Sequence, residues 1–259
     1  MTRVAVTGGT GQVGRQTLQA LEGIDGLEAV PMARSDAPDL GSVVDLDVAD
    51  RTRTYDALEG YDVIVHLAAN PSPDATWDDV LAPNIEGVYN VYEAAVEHDV
   101  DRVVFASTNH VAHMYNVDDP AEPESLRERP RTVAPDDPPR PDSYYGVSKV
   151  TGEAMGAYYA DRHDLEVLNL RIGWLLTPDE LRETQDEPES HARFARAMYL
   201  SPRDCRDAMR ASVTASIDRS PVTVHVVSRN DERYFSIVEA AATIGYRPRD
   251  NSVETLEST

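Results

Sequence analysis

Lysine is almost absent. Of the 24 basic residues in this 259-residue chain only Lys149 is a lysine, and the rest are arginine. Cysteine is equally scarce: Cys205 stands alone, which excludes a disulfide within the chain and a cysteine-built metal cage. No apolar run is long enough to span a bilayer, and neither a secretory leader nor a lipidation motif is expected, so a cytoplasmic location is expected. Positive charge is short overall, since 46 acids leave a net charge of −22. Such a surface repels phosphate backbones and anionic membranes, so neither nucleic acid nor membrane is an expected partner. His98, His110 and His113 lack a plausible set of co-ligands, and no metal site is expected.

The acid excess with so little lysine resembles the composition of halophilic proteins. In molar salt the Debye length shrinks to roughly 3 Å, which screens the self-repulsion of an acidic surface. The length suits one large core, or one domain with a small lobe.

Glycine, by contrast, is concentrated at the start. Val4-Ala5-Val6 is a short β-branched run suited to a strand buried on both faces, and it leads into Gly8, Gly9, Gly11 and Gly14 and then a stretch of helical composition. A strand, a glycine turn and a helix N-terminus make a seat for a pyrophosphate, because the backbone can approach the ligand and the free amides and helix dipole meet its charge. Apolar runs then alternate with amphipathic stretches. Strands are expected at 27–32, 42–46, 61–67, 102–106 and 165–170, with helices near 12–22, 52–59, 77–98 and 143–162. This alternation predicts an α/β fold, a Rossmann-type doubly wound parallel sheet, over residues 1–170. Residues 171–259 are expected to pack on it as a small substrate-side portion. Within that portion 174–189 reads as loop, 204–217 as helix, 222–227 as strand and 235–244 as helix. Residues 116–141, rich in proline and acids, read as a long loop, either a lid or a salt-adapted insertion.

The second informative stretch is Ser143-Tyr-Tyr-Gly-Val-Ser-Lys149. Tyr145 and Lys149 are four apart and share a helix face. A nearby ammonium lowers a phenol's pKa towards that of a working general base. Arginine holds its proton too firmly for this role, so the position of the only lysine favours chemistry.

With Thr7-Gly-Gly-Thr-Gly-Gln-Val-Gly14, this stretch resembles the short-chain dehydrogenase/reductase superfamily in its extended, sugar-acting branch, the NAD-dependent epimerase/dehydratase family. Phe105-Ala-Ser-Thr-Asn-His110, Arg140–Lys149, Leu170-Arg-Ile-Gly173 and Gly245–Asn251 narrow the resemblance to the uronate dehydrogenases and the related haloarchaeal glucose-6-phosphate dehydrogenases. The resemblance implies NAD(P)-dependent oxidation of C1 of a pyranose, a uronate or a sugar phosphate, to a lactone. Tyr145, Lys149 and Thr108 would be catalytic, with Ser107 as fallback for Thr108, and Asn109 and His110 would contact sugar hydroxyls. Gly8, Gly11, Gln12, Val13 and Gly14 would hold the cofactor's pyrophosphate, Asp47 and Val48 would border adenine, and Leu67, Ala68 and Ala69 would line the nicotinamide side. Asn84 would support Lys149 through water. The uronate enzymes carry a serine after Arg-Ile-Gly where this chain has Trp174, and Arg193 and Arg196 are the nearest candidates for gripping an anionic sugar.

Arg34, twenty residues after Gly14, and Ser35 beside it suit a 2′-phosphate, which favours NADP; Asp36 would favour the alternative, NAD. A homodimer through the helices near 77–98 and 143–162 is expected by analogy. A sugar-nucleotide 4-epimerase or reductase, and a non-catalytic NAD(P)-binding sensor, are the alternatives.

Overall fold

Val4 and Val6 are buried against one helical layer and Ala5 against another, as the two-residue side-chain period of a doubly covered strand requires. These residues lie in β1 (Thr2–Thr7), seen in a computed structural model that describes residues 1–258. Helix α1 (Gln12–Leu21) follows the glycine turn, then β2 (Leu27–Ala33), β3 (Val44–Asp45), α2 (Arg51–Ala57) and β4 (Val63–His66). Next come α3 (Trp77–Val80), α4 (Gly87–Glu97), β5 (Arg102–Thr108), α5 (Tyr144–Arg162) and β6 (Glu166–Ile172). The remaining chain forms β7 (Trp174–Leu175), α6 (Pro178–Glu183), α7 (Glu189–Met198), β8 (Tyr199–Leu200), α8 (Pro202–Thr214), β9 (Val222–Val226), α9 (Val238–Thr243) and α10 (Ser252–Glu257).

Seven strands form one sheet in the order β3-β2-β1-β4-β5-β6-β9, every pair parallel. This is a Rossmann-type doubly wound sheet. Leu21 on α1 and Met209 on α8 pack with Val4, Val104 and Leu168 on one face. Val91 and Tyr92 on α4 and Tyr159 on α5 pack with Ala5, Ile64 and Phe105 on the other. The strand order reverses between β1 and β4, so the crevice at their carboxyl ends is the topological switch point where ligands of such sheets bind.

Several sequence-based expectations differ from the structure. The helix expected over 77–98 is interrupted by a π turn, Leu81–Glu86. Pro83 lies within that turn; its missing N–H is one reason an unbroken α-helix does not run through. Residues 174–189 carry β7 and α6 rather than loop; Thr177 and Glu180 form a capping box, and Pro178 stands in the first turn. The helix expected at 235–244 is shorter, because Phe235 makes a parallel bridge to Val133 instead. Strand β9, from the C-terminal part, joins the main sheet beside β6.

The 116–141 segment has no regular helix or strand, yet it is fastened along its length. Val117 bridges Leu126, Asn116 Nδ2 donates to Arg131 O (2.9 Å), and Tyr115 OH donates to Pro138 O (2.8 Å). His113 Nε2 lies 2.5 Å from Pro123 O, so the ring donates there, and its Nδ1 accepts from Tyr234 OH (2.8 Å). The C-terminal loop is fastened by Asp204, fully buried, whose carboxylate accepts from Ser228 Oγ (2.7 Å), Arg249 N (2.9 Å) and Asp250 N (3.0 Å).

Candidate active site

The glycine turn between β1 and α1 is shaped to meet a ligand. Gly8 has φ +68°, a conformation open to glycine at little cost, and a methyl group on it would sit 2.8 Å from Ala68 N. Gly11 is the N-cap of α1, with no side-chain cap and no acid in the first turn. The amide ends of Gln12, Val13 and Gly14 are thus left to an anion. Leu67, Ala68 and Ala69 follow β4 immediately, against the turn, where Thr7 Oγ1 accepts from Leu67 N (3.2 Å) and Ala68 N (3.3 Å). Beyond β2, Arg34 is extended into solvent, its side chain 71 % exposed and 4.0 Å from Asp47. Ser35 Oγ lies 3.2 Å from Thr10 Oγ1. Asp47 Oδ1 accepts from Ala49 N (3.0 Å), and Val48 is buried, with its carbonyl taking Asn90 Nδ2 (2.9 Å). These residues fit a dinucleotide: a backbone cradle, an uncapped helix start and a polar rim beyond β2.

On the next strand over, β5 carries Thr108, Asn109 and His110 at its end, and α5 brings Tyr145 and Lys149 across from them. Helix α5 lies tight on β5, because a methyl group on Gly152 would collide with the Phe105 ring. Ser143 caps α5 by accepting from Gly146 N (3.1 Å), which fixes the first turn that carries Tyr145. Lys149, only 2 % exposed, donates to Ala106 O (2.7 Å), and its Nζ lies 5.8 Å from the centre of the Tyr145 ring.

Burial acts on both groups. It raises the Tyr145 pKa to about 12, with the Thr108 hydroxyl working the other way. It lowers that of Lys149 to about 7, opposed by the charge of Glu153. Desolvation is the larger influence on the phenol in this arrangement, and the Lys149 ammonium bonds a carbonyl rather than the phenol.

Asn84, fully buried in the π turn, accepts from Asn70 N (2.7 Å), and its Nδ2 lies 3.0 Å from Ser148 Oγ. Ser148 in turn donates to Tyr145 O (2.7 Å). Asn84 thus reaches the Tyr145 backbone through Ser148. Thr108 Oγ1 lies 3.3 Å from Asn109 Oδ1, and Asn109 Nδ2 is buried without a partner among the described residues. His110 Nδ1 lies 2.7 Å from Asp142 Oδ2, so this ring nitrogen carries a hydrogen and Nε2 is left for a ligand. Burial tends to raise the Asp142 pKa, but the His110 hydrogen bond and charge outweigh it and hold it below the ordinary value. The His110 ring stands 5.8 Å from Tyr145 and 6.3 Å from Phe194, and Trp174 lies 5.9 Å beyond Phe194. Asp142 lies within the Arg140–Lys149 stretch, but nothing there marks it as a partner of His110; Phe194 meets His110 only through the packing of α7, with Trp174 behind it.

Arg193 and Arg196 are engaged within the chain. Arg196 donates to Glu232 (2.6 Å), Gln185 (2.8 Å) and Glu189 (2.8 Å). Arg193 donates to Leu126 O (3.1 Å) and Glu128 O (3.2 Å), with Glu232 3.7 Å away. Ser107, one residue before Thr108, donates to Glu153 (2.5 Å) instead of facing Tyr145.

A family model for the NAD dependent epimerase/dehydratase family matches residues 4–206. The chain belongs to that family. It is 57% identical over 257 residues to the L-arabinose 1-dehydrogenase (NAD(P)(+)) of Haloferax volcanii, covering 99% of this chain and 100% of that one. An NAD-dependent glucose-6-phosphate dehydrogenase of the same organism is 36% identical, over 97% of this chain and 94% of that one. Among solved structures, glucuronic acid dehydrogenase from Chromohalobacter salexigens superposes with a TM-score of 0.76 at 29% identity, covering 100% of this chain and 90% of that one.

Proposed function

We propose that this protein is an NAD(P)-dependent dehydrogenase that oxidises C1 of a neutral aldopyranose to its lactone, with L-arabinose the first sugar to test. The observation that carries the reading is the meeting of Thr108, Tyr145 and Lys149 at the sheet end that also holds the Gly8–Gly14 turn. The nicotinamide, when bound, supplies the hydride acceptor. Thr108 holds the sugar's C1 oxygen, Tyr145 takes its proton, and the Lys149 ammonium favours the phenolate against the cost of burial. Asn109 Nδ2 and His110 Nε2 are the polar atoms left to meet ring hydroxyls. A neutral sugar is preferred over the uronate or sugar phosphate that the sequence suggested, because Arg193 and Arg196 already share Glu232 and each makes further hydrogen bonds inside the chain. The 57% identical relative, an L-arabinose enzyme, supports the same choice.

NADP is the favoured cofactor and NAD the alternative, on the strength of Arg34 and Ser35 beyond β2. The dimer belongs to this proposal as well: Trp77, Tyr89, Tyr144, Val147 and Tyr158 are all exposed on α3, α4 and α5. Light scattering in molar KCl tests it, and a monomer mass would remove it.

The decisive assay is formation of reduced nicotinamide in molar KCl, with NADP and NAD in turn, against L-arabinose, glucuronate, galacturonate and glucose-6-phosphate. Signal with the neutral sugar alone is expected. Turnover only with the anions would refute the neutral-sugar assignment. Cofactor binding without net reduction would point to an epimerase or a sensor. Tyr145→Phe should lose at least about 100-fold in turnover while still binding cofactor.

A further inference from the structure

Behind Lys149 lies a second, mostly buried charge cluster that the proposed chemistry does not use. Glu153 follows Lys149 by one helical turn on α5. Its Oε1 accepts from Ser107 Oγ (2.5 Å) and Arg171 Nε (2.8 Å), and its Oε2 accepts from Arg171 Nη2 (2.8 Å). The side chains of Glu153 and Arg171 are 12 % and 4 % exposed. Three elements meet here, β5 through Ser107, α5 through Glu153 and β6 through Arg171. The remaining guanidinium nitrogen, Nη1, donates to Pro135 O (3.2 Å) in the 116–141 segment. Helix α5 thus grips two consecutive residues of β5, Ala106 through Lys149 and Ser107 through Glu153, directly before Thr108.

We propose that the Ser107–Glu153–Arg171 cluster is a positioning device for Lys149: a clamped carboxylate that keeps the buried ammonium charged and holds α5 in register with the end of β5. A buried ammonium with no counter-charge gives up its proton, and a carboxylate free to swing would satisfy itself in solvent. Two donors from Arg171 and one from Ser107 fix its place. Around Lys149, among the described residues, the titratable neighbours are Tyr145 and Glu153 on α5 and His66 on β4, while β5 offers the Ala106 carbonyl and the Phe105 ring. Burial draws the lysine downward, and Glu153 is the neighbour whose charge opposes this.

The role rests on the dehydrogenase reading, but its test does not need turnover. Lys149 is the only lysine in the chain, so labelling with lysine carrying carbon-13 at Cε gives a single chain resonance whose midpoint with pH is read directly. Glu153→Gln should move that midpoint down by on the order of one pH unit, and Glu153→Asp, which keeps the charge, should restore most of it. Removing one partner of a buried pair can unfold a protein, so the paired change Glu153→Met with Arg171→Met carries the same test in a well-packed, uncharged form. A lysine midpoint unmoved in Glu153→Gln, or in the paired variant where only that one folds, would overturn the proposal. Where the wild type oxidises a sugar, Glu153→Gln is further expected to lose at least about tenfold in kcat with KM nearly unchanged. A loss confined to KM would also overturn it. Silence of the wild type on every sugar would sink the dehydrogenase reading and leave the lysine titration to decide the cluster by itself.

Discussion

Acid should unfold this protein well before its carboxylates titrate. His66, His113 and His225 are buried, and burial lowers their pKa values from 6.5 to about 3, about 4 and about 3. In the unfolded chain each returns to its ordinary value, so between about pH 6.5 and 4 that state binds up to three protons the native state refuses. Stability is then fully present above pH 6.5 and falls as pH drops towards the native-state values. Going from pH 7.5 to 5.5, each histidine removes RT times the logarithm of about ten, so the three together cost about 4 kcal/mol. For a domain of this size that corresponds to a Tm lower by about 8–16 °C. The assay is a series of calorimetric or circular-dichroism melts in molar KCl at fixed ionic strength. His225→Gln should take about a third off the slope, because His225 lies on β9 and is stacked on Phe235 (ring centres 4.0 Å apart), away from Tyr145. A Tm constant to within about 2 °C between pH 7.5 and 5.5 would refute the argument, since neutral burial of the three rings requires the fall.

Further outcomes follow from other features. Gly8→Ala forces a side chain into φ +68° and against Ala68 N, so cofactor affinity should fall at least about tenfold, with a Tm loss of a few degrees, read by fluorescence titration and melting. Asp204→Ala strips three donors of a buried acceptor and should cost about 3 kcal/mol or more in chemical denaturation. Arg34→Ala should raise KM for NADP at least about tenfold while leaving NAD nearly unchanged; equal effects on both cofactors would remove Arg34 from the 2′-phosphate.

The glycine turn and the tyrosine–lysine pair were legible in the sequence because each lies within a few consecutive residues, where spacing alone sets geometry. The parallel sheet was legible because strands buried on both faces leave uninterrupted apolar runs. What escaped depends on partners far away in the chain. Arg193 and Arg196 resemble anion grips until Glu232, 36 residues beyond Arg196, is folded against them. Glu153 stands one turn past Lys149 in plain view, but its weight comes from Arg171 on another strand. His110 finds Asp142 across a long proline-rich excursion. The break at Leu81–Glu86 escaped because the apolar periodicity on either side of Pro83 is that of one long helix.

The fastenings of residues 116–141 bear on how a protease would meet this fold. A stretch of this length without regular elements is ordinarily the first place a fold is nicked, because cleavage needs a run of backbone that can peel away from the body. Here Pro123, Leu126, Glu128, Pro135 and Pro138 each give a carbonyl to the body, Arg131 gives its own to Asn116 within the segment, and Val133 lies along Phe235. No long run between these ties is loose enough to enter a protease cleft. Limited digestion of the native protein should therefore spare this segment, and its cleavage should begin only when the whole domain opens.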